Sequence, residues 1–156
     1  MRLYGGFCDK ADVDPIAFPE NHLKKLILKD MPSVGLPNLL PNLPELTEFT
    51  IHNVEDFTKE NFTTIFTKFL TQNTPMERIW LESLTFEIQE VEELLFNVIK
   101  RHHSSLRHIS LARNKFSNEF LHKLCEQLAA QGSNVVETFN LMYLKDTNDT
   151  NWVKIL

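Results

Sequence analysis

The feature that most constrains this chain is an apolar pattern that returns every 30 residues. Segments that begin at residues 46, 76, 106 and 136 carry apolar side chains at offsets 0, 3, 5 and 8. Fifteen of these sixteen positions are apolar, and the exception is Asn114. A further copy begins 23 residues earlier, at Leu23. A fixed period of this length indicates that successive supersecondary units stack and share one hydrophobic core.

Each copy contains a short stretch in which apolar and polar residues alternate, which predicts a β-strand with one face in the core. We place these strands at 25–29, 48–52, 78–82, 108–112 and 138–142. Between them, apolar residues three and four positions apart predict amphipathic helices. The helices are expected at 58–71, 87–102 and 117–131, with N-caps at Thr58, Thr85 and Ser117. Residues 31–44 hold four of the seven prolines, so no α-helix is expected there.

The copy Leu106, Ile109, Leu111, Asn114 and Phe116 matches the leucine-rich-repeat template L-x-x-L-x-L-x-x-N-x-L. Strand-helix units of this length resemble the ribonuclease-inhibitor-like class of leucine-rich-repeat proteins, and the resemblance covers residues 23–144. It implies an α/β fold, a leucine-rich-repeat solenoid or horseshoe with parallel strands on the concave face and helices on the convex face. In the other units the Asn position is Met31, Val54, Leu84 and Leu144, which predicts an irregular turn after each strand.

The two ends of the chain do not fit the repeat. Residues 1–22 are expected to form an N-terminal cap and residues 145–156 a C-terminal cap, because a terminal repeat would otherwise expose its core face. The apolar residues available for this role are Tyr4, Phe7, Ile16 and Phe18 at one end and Trp152, Val153, Ile155 and Leu156 at the other. The alternative is a piece of a longer solenoid. The change in composition at both flanks favours a complete short protein.

The sequence contains none of the motifs that mark common catalytic, cofactor or metal sites, such as H-E-x-x-H, C-x-x-C, G-x-S-x-G or a phosphate-binding Gly-rich loop. No enzyme activity, cofactor or small-molecule substrate is therefore expected. His102 and His103 should meet the carbonyls and dipole of a helix end rather than a metal. The acidic residues Glu87, Glu90, Glu92 and Glu93 are expected on a solvated helical face.

Charge and hydropathy exclude two further classes of partner. The net charge of −5 with 16 Lys and Arg argues against a nucleic-acid surface. No apolar run approaches the ~20 residues of a membrane span. Cys8 and Cys125 do not make a disulfide framework, and Cys125 should be a packed free thiol. A cytoplasmic location follows, or the cytosol of a host cell if the source is a bacterial pathogen.

Residues that point out of the core should line the concave face in columns, because the strands are expected to stack in register. The first column is Lys25, Glu48, Arg78, His108 and Thr138, and the central one is Ile27, Thr50, Trp80, Ser110 and Asn140. The third column is Lys29, His52, Glu82, Ala112 and Met142. The turns after the strands add Asp30, Asn53, Ser83, Arg113 and Tyr143.

Trp80 is the most informative of these residues. Its neighbours Ile79 and Leu81 occupy core positions, so its ring is expected to be exposed in the middle of the concave face. Trp, Tyr and Arg are enriched at binding hot spots. The predicted protein-binding residues are Trp80, Arg78, Tyr143, Arg113, His108, Met142, His52 and Glu82.

The resemblance implies a non-enzymatic module that binds another protein on its concave face and would block or regulate an enzyme, for example another effector. Small free-standing proteins of this class occur among the effectors of intracellular bacterial pathogens, and the Phe-, Asn- and Lys-rich composition is compatible with that group. The alternative is the substrate-recognition or adaptor part of a ubiquitin-ligase or immune-sensor assembly. A ligase activity of its own would need a catalytic cysteine, and neither Cys8 nor Cys125 suits that role.

Overall fold

The computed structural model describes residues 2–4, 23–30, 44–55, 57–130 and 135–144. These residues form a mixed α/β structure built on one open, parallel sheet whose strand order follows the chain. The strands are β1 (Arg2–Tyr4), β2 (Lys25–Lys29), β3 (Glu48–His52), β4 (Arg78–Glu82), β5 (His108–Ser110) and β6 (Thr138–Asn140). The helices are α1 (Lys59–Thr71), α2 (Glu92–Arg101) and α3 (Asn118–Ala130).

The predicted elements are found within a few residues of their expected bounds. The second helix is preceded by a 3-10 turn at Ile88–Val91, and β5 and β6 end two residues early. The predicted N-caps are confirmed at Thr58, which forms a capping box with Asn61, and at Ser117. Thr85 is not a cap, because its hydroxyl donates instead to the carbonyl of Phe57 at 3.0 Å.

Strand β1 is an addition that the repeat pattern did not predict. It lies within the segment expected to cap the N-terminal end, and it pairs in parallel with residues 27–29 of β2. The remaining cap residues named above, the proline-rich stretch 31–43 and Cys8 lie outside the described residues.

The inward side chains of the strands form the centre of the core. In β2 to β5 they are completely buried, namely Leu26, Leu28, Phe49, Ile51, Ile79, Leu81 and Ile109. The helices cover this face of the sheet. In α1, the rings of Phe66 and Phe69 meet the ring of Phe49 edge-on, with centroids 6.3 and 5.2 Å away. Such burial is the main favourable contribution to folding, at about 25 cal/mol per Å² of apolar surface.

The turns after the strands begin in the same way, which the expectation of irregular turns did not foresee; the Asn position of the first unit, Met31, lies outside the described residues. The same position of every unit is a non-glycine residue with φ between 49° and 59°: Asp30, Asn53, Ser83, Arg113 and Tyr143. Backbone bonds across the units repeat at this point, from Asn53 N–H to the carbonyl of Glu82 and from Arg113 N–H to that of Met142. The left-handed residue and the ladder therefore set the turn, whatever side chain fills the Asn position of the template.

The acidic cluster does more than face solvent. On the helical side, Glu90 pairs with Lys59, and Glu93 lies 2.7 Å from Lys123 Nζ. The carboxylate of Glu92 accepts hydrogen bonds from the backbone N–H and the hydroxyl of Ser117, at 2.6 and 2.5 Å. Three of the four predicted solvated residues thus link neighbouring units, and Glu92 also places negative charge at the start of α3, where the helix dipole favours it.

His102 is also placed differently from the prediction. Its ring is buried and joins two neighbouring segments: Nδ1 accepts from Met76 N–H at 3.3 Å, and Nε2 lies 2.7 Å from the carbonyl of Phe69. This arrangement requires the neutral ring with its proton on Nε2. Only the exposed His103 behaves as expected, since its Nδ1 lies 2.8 Å from the carbonyl of Lys100 in its own helix.

His102 should make the fold less stable in mild acid. Burial lowers the pKa of His102 below its usual 6.5, with Arg101 acting in the same direction and the bond to Phe69 opposing them. Between the two pKa values the unfolded chain binds more protons, so stability falls with decreasing pH below about 6.5 by up to about 1.4 kcal/mol per unit. The loss ends once the folded ring is also protonated.

Urea denaturation of the wild type, His102→Gln and His103→Gln between pH 5 and 7 measures this effect. The wild type and His103→Gln should lose stability as the pH falls, and His102→Gln should lose much less. Equal slopes for all three proteins would show that another group controls the acid response in this window. Glu48 adds little in this window, because a carboxyl whose pKa is held below its usual 4.5 changes the stability mainly below pH 5.

Candidate functional site

The face of the sheet opposite the helices is the candidate site, and we call it the open face. It consists of the outward side chains of β2 to β6 and of the turn that follows each strand. Paired residues are 23 positions apart in β2 and β3 and 30 positions apart in each later pair of strands. Equivalent positions therefore align, so that Thr50, Trp80, Ser110 and Asn140 lie side by side. All eight predicted binding residues belong to these outward or turn positions, and they fall into two groups and one outlier.

The first group is a charged row at the start of the strands. Glu48 Oε2 lies 2.7 Å from Lys25 Nζ and 3.1 Å from Arg78 Nε. Burial alone would raise the pKa of Glu48, but the hydrogen bond and charge of Lys25, together with Arg78, hold that pKa below its usual value. Glu48 is therefore ionised at neutral pH and fixes the side chain of Arg78.

Trp80 lies beside this row and is less exposed than predicted. Its ring is only partly accessible, because the guanidinium of Arg78 sits 5.4 Å from the ring centroid. A cation over an indole face contributes about 0.5–1 kcal/mol at such a site. Glu48, Arg78 and Trp80 thus form one connected unit whose geometry is set before any partner arrives.

The second group surrounds a shallow depression of about 180 Å³ at the other end of the strands. Its lining consists of His52, Glu82, Ala112, Arg113, Asn140, Met142 and Tyr143. Five of the eight predicted residues meet here. Ala112 and Asn140 were not predicted as binding residues, although Ala112 carried a signal: it is the one small residue in a column of Lys, His, Glu and Met.

Met142 and Tyr143 dominate the surface at this depression. These residues are 58% and 69% exposed, and no other large apolar residue in the described part of the chain is exposed to this extent. Tyr143 also has φ 58°, a left-handed conformation that costs a bulky residue about 1 kcal/mol or more. The guanidinium of Arg113 stacks over its ring at 5.5 Å.

His108 is the outlier among the predicted residues. It stands in register between Arg78 and Thr138, and its Nδ1 lies 3.3 Å from the hydroxyl of Thr138. It does not line the depression. The open face therefore contains one preformed charged and aromatic unit, one exposed apolar and cationic unit, and a histidine at its margin.

The described residues hold few alternatives to this face. No group of three or more His, Cys, Asp and Glu side chains within them could hold a metal ion. Cys125 is buried, and burial raises the pKa of its thiol, as expected for a packed residue that is not reactive. In this part of the chain, no helix has both the length and the apolar character needed to cross a bilayer.

Comparison with known proteins adds no further identification, since no protein-family model, curated protein or solved structure matches this chain.

Proposed function

We propose that the chain is a leucine-rich-repeat solenoid of the ribonuclease-inhibitor-like class, and that it binds a protein partner on its concave side, the open face. Support for the solenoid comes from the 30-residue period, the parallel in-register strands and the identical left-handed turn of every unit. The repeat also aligns functional side chains of separate units on one surface. Such columns suit recognition of an extended protein surface.

Tyr143 is the observation that carries the proposal. A tyrosine that is 69% exposed contributes little to the core, and its backbone conformation is unfavourable for any residue except glycine, Asn or Asp. The left-handed turn is shared by every unit, so what distinguishes Tyr143 is that a large aromatic ring stands at this position and is left exposed. An exposed Met and a stacked Arg beside it complete a composition typical of protein interfaces.

The size of the depression favours a protein partner over a small ligand. Drug-sized and cofactor pockets usually enclose about 300–1,000 Å³, whereas this depression holds about 180 Å³, the scale of one side chain. A partner would place one residue there and cover the rest of the open face. If that partner is an enzyme or another effector, binding of this extent would block or regulate it without any catalysis by this chain.

The proposal is tested by binding with and without the two aromatic side chains. Affinity capture from the native cell, followed by titration of the captured protein, should show that Trp80→Ala weakens binding by about 2 kcal/mol or more, a factor of about thirty. Tyr143→Gly should weaken binding at least tenfold. It should also keep or raise stability, by up to about 1 kcal/mol, because glycine relieves the left-handed strain.

Ser83→Gly is the matched control, since it makes the same backbone change at the same position of another turn and removes no aromatic ring. It should lower the affinity much less than Tyr143→Gly does. Glu90→Gln and Glu93→Gln on the helical side should bind normally. If only the helical substitutions reduced the affinity, the binding surface would lie on the helices and the proposal would fail.

A further inference from the structure

The depression on the open face is richer in unused donors than in acceptors. No described residue accepts a hydrogen bond from the guanidinium of Arg113, and none forms an ion pair with it. The side-chain oxygen of Asn140 accepts from Met142 N–H at 3.0 Å, while its amide nitrogen has no acceptor within the described chain. The charged acceptor in the lining is Glu82, and one of its two oxygens accepts from the Ser110 hydroxyl at 2.9 Å.

Arg113 differs in this respect from the other arginines of the open face and its margin. Arg78 is paired with Glu48, and Arg107 with Glu137 at 2.8 Å. Arg113 instead lies over the ring of Tyr143, with its Cζ 5.5 Å from the ring centroid, and the bond from Arg113 N–H to the Met142 carbonyl, at 3.0 Å, keeps the two turns adjacent. Stacking restricts the guanidinium while its N–H donors remain available, which is the arrangement that suits bidentate binding of a carboxylate.

The floor of the depression determines what must accompany that carboxylate. Ala112 is buried and lines the depression, so it provides a low area flanked by the exposed Met142. An apolar side chain placed there would remove Met142 from water. Trp80 lies two strands from β6 on the same face, so a segment that crosses the depression can continue along the sheet in either direction.

We infer that the depression recognises an internal Asp or Glu of a protein partner, bound by Arg113 and Asn140, with a neighbouring apolar side chain on Ala112 and Met142. This inference rests on the proposed function and names the chemistry of the partner segment. In this inference Arg113 selects a negatively charged side chain of the partner. Tyr143 provides contact area for the partner and orients Arg113.

A random library of linear 12-residue peptides displayed on phage is the probe for this site. Selection on the wild-type protein should enrich peptides that carry Asp or Glu beside a large apolar residue. For a selected peptide made synthetically, Arg113→Gln should weaken binding at least tenfold. Replacing the acidic residue of the peptide by its amide should have the same effect, and the two changes together should cost no more than either alone.

Two matched variants separate charge from geometry. Arg113→Lys keeps the charge but loses the planar pair of donors, so it should recover only part of the affinity. Arg107→Gln removes an arginine that is already paired and does not line the depression, and it should bind like the wild type. Selected peptides without an acidic residue, or peptides that bind Arg113→Gln equally well, would overturn the inference.

The outcomes also separate this inference from the proposed function. Peptides that depend on Trp80 and Tyr143 but not on Arg113 would support a binding face without selection for a carboxylate. A selected peptide whose synthetic form loses its affinity when only the C-terminal carboxylate is amidated would overturn the assignment of an internal acidic residue. A library that yields no binder on the wild type would also overturn the inference, and capture of a whole protein partner would then remain the test of the open face.

Discussion

Replacing Asn114 by aspartate is expected to lower the free energy of unfolding by about 3 kcal/mol or more. The amide of Asn114 is buried and lies between two units. Its nitrogen donates to the carbonyls of Leu81, Leu111 and Ala112 at 2.9 to 3.2 Å, and its oxygen accepts from Leu84 N–H at 2.9 Å. Aspartate has nearly the same shape, but it sets a carboxylate oxygen against three carbonyl oxygens.

Urea denaturation at pH 7 measures this change, with Asn73→Asp as the control because Asn73 is exposed. The control should remain within about 0.5 kcal/mol of the wild type. The defect of Asn114→Asp should become smaller in acid, where a protonated carboxyl can again donate one hydrogen bond. A stability equal to that of the control would show that the amide does not join the two units.

Truncation of the core should have a comparable effect. Leu81 and Leu111 occupy the same position in adjacent units, and both are completely buried. Leu81→Ala or Leu111→Ala should each cost about 2–5 kcal/mol, from lost burial and from the cavity that remains. Since units pair along the sheet only with their neighbours, the loss at one unit should spread by weakening both of its interfaces.

Thermal denaturation followed by circular dichroism tests this prediction. The exposed Thr67→Ala on α1 is the control, and its melting temperature should stay close to that of the wild type. Unchanged melting temperatures in both leucine variants would mean that these side chains do not stabilise the core. The register derived from the repeat would then have to be abandoned.

The strands and helices could be predicted because the repeat presents the same apolar pattern several times. Alternation in one strand is weak evidence, but Leu81, Leu111 and their equivalents recur at one spacing, and chance errors do not recur. Predictions at single positions without a repeat, such as Thr85 and His102, failed. Their hydrogen bonds go to the carbonyls of Phe57 and Phe69 in neighbouring units, and sequence proximity does not reveal such partners.

The candidate site could be predicted only as a set of outward positions. Alternation places Trp80 on the open face, but its partial burial depends on where the long side chain of Arg78 settles. Arg78 in turn is held by Glu48, which stands 30 residues earlier in the chain. The rotamer of a long side chain depends on such neighbours. The accessibility of the Trp80 ring therefore could not be predicted from the alternation of apolar and polar residues.

The sequence by itself determined which side of each strand meets the core. Apolar burial is the largest favourable contribution to folding, and because side chains alternate between the two faces, only one orientation of each strand buries its apolar residues. Only the tertiary structure decided how the open face is divided. The 30-residue register brings Arg113 onto Tyr143 and leaves Ala112 as the floor between Glu82 and Met142. Those contacts join separate units, and their geometry comes from the stacking of the backbone rather than from any local preference.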